Sequence, residues 1–232
     1  MKRPYPVNLL SAIRLNEICG TAMDYATLTA DQQAGLDNLL GQLTERERFV
    51  LDKHYREGAS MKALADQHHV NENRIRQIIR HAVKKCQVKE LLLYVADGFT
   101  ARTKALTEQA AQAEWLYCQH LSMEEIHLYR LEAGALDLPA KVLHTLNRAG
   151  VHAIRDLVIL SQYETGLGRI RMLGATSEMQ IVTHLQSAGL LPAQYERIPG
   201  CPCCMKPDRE LAAFRNLTRF ADNRKIFIHL TV

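Results

Sequence analysis

The stretch that decides the fold is residues 43–85, LTERERFVLDKHYREGASMKALADQHHVNENRIRQIIRHAVKK. Two short apolar-periodic segments meet there at a polar turn around His68, and the second segment carries a basic face. Ser60 suits the N-cap of the first segment, while Thr44, with Glu47 three residues later, forms a capping-box pattern for a helix upstream. Helix, short turn and basic helix in this order predict a three-helix helix-turn-helix module.

The second segment is the candidate recognition helix, with Asn71 as its N-cap. At about 100° per residue, its isoleucines fall on one side and a polar stripe falls on the other. Residues 71–85 carry a formal charge of +4, which equals the formal net charge of the whole chain. Lys and Arg can contact phosphates there, and amides and Arg can contact base edges; the alternative is a solvated amphipathic helix. The predicted contacts are Asn71, Asn73, Arg74, Arg76, Gln77, Arg80 and Lys84.

This stretch resembles the fourth conserved region of bacterial housekeeping sigma factors, the domain that reads the upstream promoter element. The resemblance is carried by Leu43-Thr44, Glu47, Val50-Leu51, Leu64-Ala65, Val70 and the run Arg74-Ile75-Arg76-Gln77-Ile78. It implies DNA contacts by Glu72, Asn73, Arg76 and Gln77. Glu72 and Asn73 replace an Arg-Glu pair of the family, so the preferred base sequence stays open.

Residues 136–190 show a second pattern, of short apolar-periodic helices separated by glycine. Pro139 can begin a helix that Gly150 ends, a second helix follows, and a further helix is closed by Gly189. Helix, tight hairpin and helix with glycine at the hairpin is the helix-hairpin-helix arrangement. Glycine allows backbone amides at a helix N-terminus to approach a phosphate closely.

This segment resembles the C-terminal domain of the RNA polymerase alpha subunit, which binds DNA upstream of promoters and contacts sigma and activators. The matching residues are Leu136 to Leu138, Asp156 to Val158, Leu173 to Ser177, and Gly189-Leu190. The resemblance implies DNA contacts by Lys141, His144, Gly174 and Ser177. Lys141 stands where the family has Arg, and Thr176 where it has Lys, so DNA binding and protein docking are both open for this segment.

The chain is expected to have five segments. They are an N-terminal segment at 1–39, the sigma region 4-like helix-turn-helix at 40–90, a helical connector at 91–135, the alpha-like module at 136–191 and a Cys-containing tail at 192–232. A helix is expected from about Ala30 to Leu40. The connector favours a long helix or a helical pair, buried within the chain or in a homodimer seam. Its candidates for burial are Trp115, Leu116, Leu121, Ile126, Leu128 and Leu131.

The tail carries two further patterns. Cys201, Cys203 and Cys204, with His229, could form a Cys3His zinc site; the alternative is an exposed cysteine turn. Apolar residues alternate along 225–232, which predicts a short C-terminal β segment in an otherwise mainly α fold. The six cysteines show no disulfide framework.

The sequence also excludes several classes of protein. It has no Gly-Lys-Ser or Gly-Lys-Thr phosphate loop, no Gly-x-Ser-x-Gly elbow and no His-Glu-x-x-His motif, so we expect no enzyme. Without a long apolar run or a secretory signal, a cytoplasmic location is expected. We therefore predict a DNA-binding transcription regulator at promoters, whose partners are double-stranded DNA and RNA polymerase subunits. The alternatives are an adaptor that docks on RNA polymerase without sequence-specific readout, and an accessory factor of nucleic-acid processing.

Overall fold

The computed structural model describes residues 4–200 and 206–228, with side chains described up to residue 220 in the last helix. These residues form thirteen α-helices and no β-strand, so the predicted mainly helical fold is confirmed. The chain divides into two compact units, Met1–Ala105 and Leu106–Val232. The division into five functional segments remains a prediction.

The first unit contains seven complete helices and the beginning of an eighth. They are α1 (Val7–Ile13), α2 (Leu15–Cys19), α3 (Ala30–Gly41), α4 (Glu45–Leu51), α5 (Met61–Gln67), α6 (Glu72–Cys86), α7 (Lys89–Ala96) and α8 (Phe99–Cys118). The expected helix near Ala30 is confirmed as α3, while α1 and α2 were not predicted. A π-helix, Asp52–Arg56, continues α4.

One apolar core joins the helix-turn-helix to the N-terminal helices. Ile13 of α1, Leu36 of α3 and Ile75 of α6 are all fully buried in it. The α3 and α7 helices pack closely at Gly35, where a Cβ atom would lie 2.0 Å from the carbonyl oxygen of Tyr94. Only glycine therefore allows this approach of two backbones. The N-terminal helices are part of the module that presents α6.

The second unit is built from the end of α8 and five further helices. They are α9 (Met123–Tyr129), α10 (Ala140–Arg148), α11 (Ile154–Ser161), α12 (Ala175–Ser187) and α13 (Lys206–Ile228). Short 3-10 helices precede α10 and α12, at Ala133–Leu136 and Leu167–Arg169. Gly150 follows α10 with a φ of 73°, a left-handed conformation that ends the helix where the sequence predicts.

A half-buried arginine ties together four elements of this unit. The Arg155 guanidinium donates to both Glu114 oxygens, at 2.8 and 2.9 Å, and to Glu210 at 3.0 Å. It also lies 5.3 Å from the ring centre of Phe214, and the Tyr129 hydroxyl donates to Glu114 at 2.6 Å. These contacts connect α8, α9, α11 and α13 through one charge cluster.

The predicted burial of the connector is wrong for three residues. Trp115 is 60% exposed, and Leu116 and Leu131 are exposed as well, whereas Leu121, Ile126 and Leu128 are partly buried. Instead, α8 buries the face that ends at Tyr117, whose hydroxyl donates to the Leu190 carbonyl at 2.7 Å. Leu106 and the two small residues Ala110 and Ala113 are the other buried residues of this face, which therefore gave a weak apolar signal. A homodimer seam remains a prediction.

The predicted C-terminal strand is wrong for residues 225–228, which continue α13 to Ile228. Leu211, Phe214 and Leu217 are buried at helical spacing. A helix started by such packing gains one hydrogen bond for each added residue, and a brief alternation of apolar residues does not stop it. Residues 229–232 lie outside the described part of the chain.

Candidate nucleic-acid interface

The geometry of the candidate interface starts at the N-terminus of α6. The Asn71 side-chain oxygen accepts a hydrogen bond from the Arg74 amide at 2.8 Å, so the predicted N-cap is confirmed. Ser60 caps α5 through the Ala63 amide at 3.1 Å, and the capping box at the start of α4 is also present. The α4 and α5 helices pack against α6, whose core residues are Ile75, Ile78, Ile79, Ala82 and Cys86.

The eight residues predicted to contact DNA from this helix are all exposed. They are Asn71, Glu72, Asn73, Arg74, Arg76, Gln77, Arg80 and Lys84. With about 100° per residue, Asn73, Gln77, Arg80 and Lys84 form a central stripe opposite the buried isoleucines. Arg76 flanks the stripe on one side and Arg74 on the other. The structure therefore brings six of the eight predicted residues together on one polar helix face, while Asn71 caps the helix and Glu72 lies at the edge of the buried side.

Two hydrogen-bonded pairs organise this face. Arg76 donates from Nη1 to the Asn73 side-chain oxygen at 2.9 Å. Arg74 donates from Nη1 to the Gln77 side-chain oxygen at 3.2 Å. Both pairs have i,i+3 spacing, which places side chains next to each other along a helix. The two guanidinium groups are thus held against neighbouring amides.

One cation of the helix is neutralised within the protein. Lys85 pairs with Glu47 at 2.7 Å, and Glu47 also accepts from the amide and hydroxyl of Thr44. Burial alone would raise the pKa of Glu47, but the hydrogen bonds from Lys85 and Thr44 outweigh it and lower the pKa overall. Among the described residues, no carboxylate pairs with Arg74, Arg76, Arg80 or Lys84.

The turn before α6 is anchored to α4. The ring of His68 meets Phe49 edge-on, with ring centres 5.4 Å apart. His69 adopts a left-handed φ of 52°, which turns the chain toward α6. Val70 then donates its amide to the Ala65 carbonyl at 3.0 Å. The pair of histidines therefore serves the turn and its packing.

The four residues predicted in the second unit lie on two elements. Lys141 and His144 are exposed on α10, one turn apart. Gly174 is the N-cap residue of α12, without a side-chain cap, and Ser177 in its first turn is partly buried. The described contacts do not join the residues of α10 to those of α12.

A cleft of about 270 Å³ lies between the C-terminal end of α10 and the loop that precedes α12. It is lined by Thr145, Arg148, Ala149, Arg171 and Met172. Arg148 and Arg171 are exposed, and neither forms an ion pair with a described residue. Neither arginine was predicted as a site residue from the sequence. The sequence feature that could have indicated them is a basic residue at the end of one helix and another just before the next.

Comparison with known proteins concerns the first unit. Residues 39–87 match the family model of Sigma-70, region 4. The match runs from the end of α3 through α6, and includes the capped turn and the exposed basic face. It supports a DNA-binding, transcription-related role and the sigma-like part of the predicted resemblance. No curated protein and no solved structure matches the chain.

The metal and membrane expectations have different outcomes. The proposed zinc ligands Cys201, Cys203, Cys204 and His229 lie outside the described residues. Within residues 4–200 and 206–220, no group of three His, Cys, Asp or Glu side chains is arranged to hold a metal ion. Of the helices that the structure describes, none is both long and apolar enough to span a membrane.

Proposed function

We propose that the protein regulates transcription by binding promoter DNA through the exposed face of α6. The observation that carries the proposal is a row of cations that no carboxylate of the described chain neutralises, presented on a helix whose opposite face is fully packed. The match of residues 39–87 to Sigma-70, region 4 supports the same role. An α-helix of this kind fits the major groove, where side chains reach base edges.

The charge of this face sets the expected salt dependence. If Arg74, Arg76, Arg80 and Lys84 each neutralise one phosphate, the slope of log K against log salt is about −3.6. Affinity then falls roughly 150-fold between 50 and 200 mM salt. Base contacts by Asn73, Arg76 and Gln77 add sequence preference to this phosphate attraction.

The second unit is the proposed site of a further contact. The alpha-like residues Lys141, His144, Gly174 and Ser177 would meet DNA next to the first site, or a protein bound there. Two weak sites on one chain increase each other's local concentration when both can be engaged at once. Arg148 and Arg171 favour DNA for this unit, because the cleft between the end of α10 and the loop before α12 carries these two cations, which form no ion pair with a described residue.

The experiment that tests the proposal is selection of random DNA duplexes by the purified full chain at near-physiological salt. The Arg76→Ala/Gln77→Ala variant tests the face of α6. Lys104→Ala, which removes an exposed cation of α8, is the matched control. We expect the wild type and the control to enrich one motif that the double variant loses. Binding without a motif, which disappears as salt rises, would contradict sequence readout.

A second candidate function is an adaptor that docks on RNA polymerase without reading a base sequence. The observation in its favour is exposed apolar surface in the second unit, where Trp115 and Met123 are 60% and 79% exposed. Exposed aromatic and methionine side chains are typical of protein contacts. Direct binding to purified RNA polymerase, lost in Trp115→Ala and unaffected by Arg76→Ala/Gln77→Ala, would favour the adaptor.

A further inference from the structure

The amide oxygens of the α6 face are engaged inside the protein. Asn73 accepts from Arg76, Gln77 accepts from Arg74, and Asn71 accepts from the backbone amide of Arg74. The amide nitrogens of these three side chains have no described partner and remain as donors. Arg and Lys carry donors only. The face therefore offers many N–H groups and few oxygens.

A carbonyl oxygen has a second lone pair, which is still able to accept a hydrogen bond from a base. A base amino group that approached the oxygen of Asn73 would also meet the guanidinium of Arg76 beside it. The two groups are both donors, and the guanidinium is charged, so their approach is unfavourable. The same holds for Gln77 next to Arg74. Neither amide is arranged for the combined donor and acceptor contact with adenine.

Glu72 is the only carboxylate on α6. It lies about 120° around the helix from the centre of the stripe, at the edge of the buried side. It also lies in the first turn, where the helix dipole stabilises a negative charge. Its position is consistent with a role at the helix end, outside the row of donors.

We propose that α6 presents a donor face that selects guanine in the major groove, and that Asn73 is a positioning residue for Arg76. Guanine offers two acceptors, N7 and O6, on one edge, and the planar fork of an arginine can donate to both. Because Asn73 holds Nη1 of Arg76, the guanidinium plane is oriented before DNA binds. Cytosine and adenine present amino groups, which meet donors on this face. The inference rests on the proposed DNA-binding function and specifies its base preference.

The inference is tested on the motif that the full chain selects from random duplexes. Each guanine of the motif is replaced in turn by 7-deazaguanine, which lacks the N7 acceptor. It is also replaced by inosine, which keeps N7 and O6 but lacks the minor-groove amino group. We expect at least one guanine at which 7-deazaguanine lowers affinity about tenfold. Inosine at that position should leave affinity within about twofold, because the major-groove acceptors remain.

Three variants identify the residues involved. Arg76→Ala should abolish the penalty of 7-deazaguanine at one position, and Asn73→Ala should reduce it there alone. Asn73→Asp keeps the oxygen that orients Arg76 and should retain the penalty, at a lower overall affinity. Gln42→Ala, which removes an exposed amide outside α6, is the control for helix content and affinity.

The outcomes separate this inference from the function on which it rests. A selected motif in which no 7-deazaguanine weakens binding would overturn the donor face while keeping DNA recognition. A penalty that Asn73→Ala leaves unchanged would overturn the role of Asn73. If no motif is enriched at all, the proposed function fails, and the inference fails with it.

Discussion

Replacing Arg155 by Met tests whether the charge cluster holds the second unit together. The change removes the cation and keeps a long apolar side chain, so Glu114 and Glu210 lose the group that they share. Their side chains are 23% and 17% exposed, and that of Arg155 is 29% exposed, so water can replace the arginine only partly. Two carboxylates with no cation between them then remain in a largely dry site.

The expected loss of stability follows from this geometry. Removing one partner of a buried ion pair costs about 3–5 kcal/mol, and the partial exposure here places the effect near 3 kcal/mol. Burial raises the pKa of Glu114, but the hydrogen bonds from Arg155 and Tyr129 lower it by a larger amount. The pKa of Glu114 therefore lies below its usual value. Folding is therefore stabilised at neutral pH by the ionised Glu114, and this contribution is lost as the pH falls through its folded-state pKa.

The variant should show the opposite dependence on pH. Without Arg155, burial dominates and raises the pKa of Glu114, so protonation favours the folded state. The difference in free energy of unfolding between wild type and Arg155→Met should therefore narrow as the pH falls from about 7 to about 4.5. Arg155→Met/Glu114→Gln should recover part of the loss at neutral pH.

Urea unfolding followed by tryptophan fluorescence and circular dichroism measures this effect. Trp115 is the single tryptophan of the chain and lies next to Glu114 in α8, so its emission reports the second unit. A destabilisation below about 1 kcal/mol at neutral pH would refute the reasoning, because exposed pairs contribute that little. A difference that stays constant with pH would refute the part assigned to Glu114.

Three other predictions concern the first unit. Gly35→Ala should destabilise the protein by more than about 2 kcal/mol in thermal or urea unfolding, since its Cβ would overlap a backbone carbonyl. Gly41→Ala, with open space around it, should stabilise the protein by about 0.5–1 kcal/mol. Equal effects of the two changes would contradict the close approach of α3 and α7. Lys84→Ala should reduce the salt slope of DNA binding by about 0.9, and Lys85→Ala should change it little because Glu47 already holds Lys85. Burial raises the pKa of Cys86 to about 12, so iodoacetamide at pH 8 should label it only on unfolding; rapid labelling of the folded chain would show an accessible thiol.

The parts of the fold that could be predicted depend on contacts close in sequence. Thr44, Ser60 and Asn71 cap helices through residues three positions away, and the isoleucines of α6 share a face because of helical geometry alone. The close pairing of α3 and α7 could not be predicted in this way. It depends on Gly35 meeting a carbonyl 59 residues later, and a lone glycine gives no sign of its partner.

The candidate site, too, could be predicted from the sequence only in part. The polar stripe of α6 and its two flanking arginines were predicted from the helical period, and the structure places these six residues on one face. The ion pair between Lys85 and Glu47 could not be predicted, because the two residues are 38 positions apart in the sequence. In α8, Trp115 was a candidate for burial, yet Tyr117 is buried instead, and its hydroxyl donates to the Leu190 carbonyl.

The contact at Gly35 has a practical consequence for dissecting the protein. A fragment cut to residues 39–87 would contain every residue of the recognisable motif and neither Gly35 nor Tyr94. It would lose most of α3 and all of α7, and leave Leu39, Leu40 and Leu43 without their cover. Such a fragment should expose apolar surface and aggregate in solution. A fragment that keeps the whole first unit, Met1–Ala105, would retain this contact, so the limits of a motif are a poor guide to where this chain can be cut.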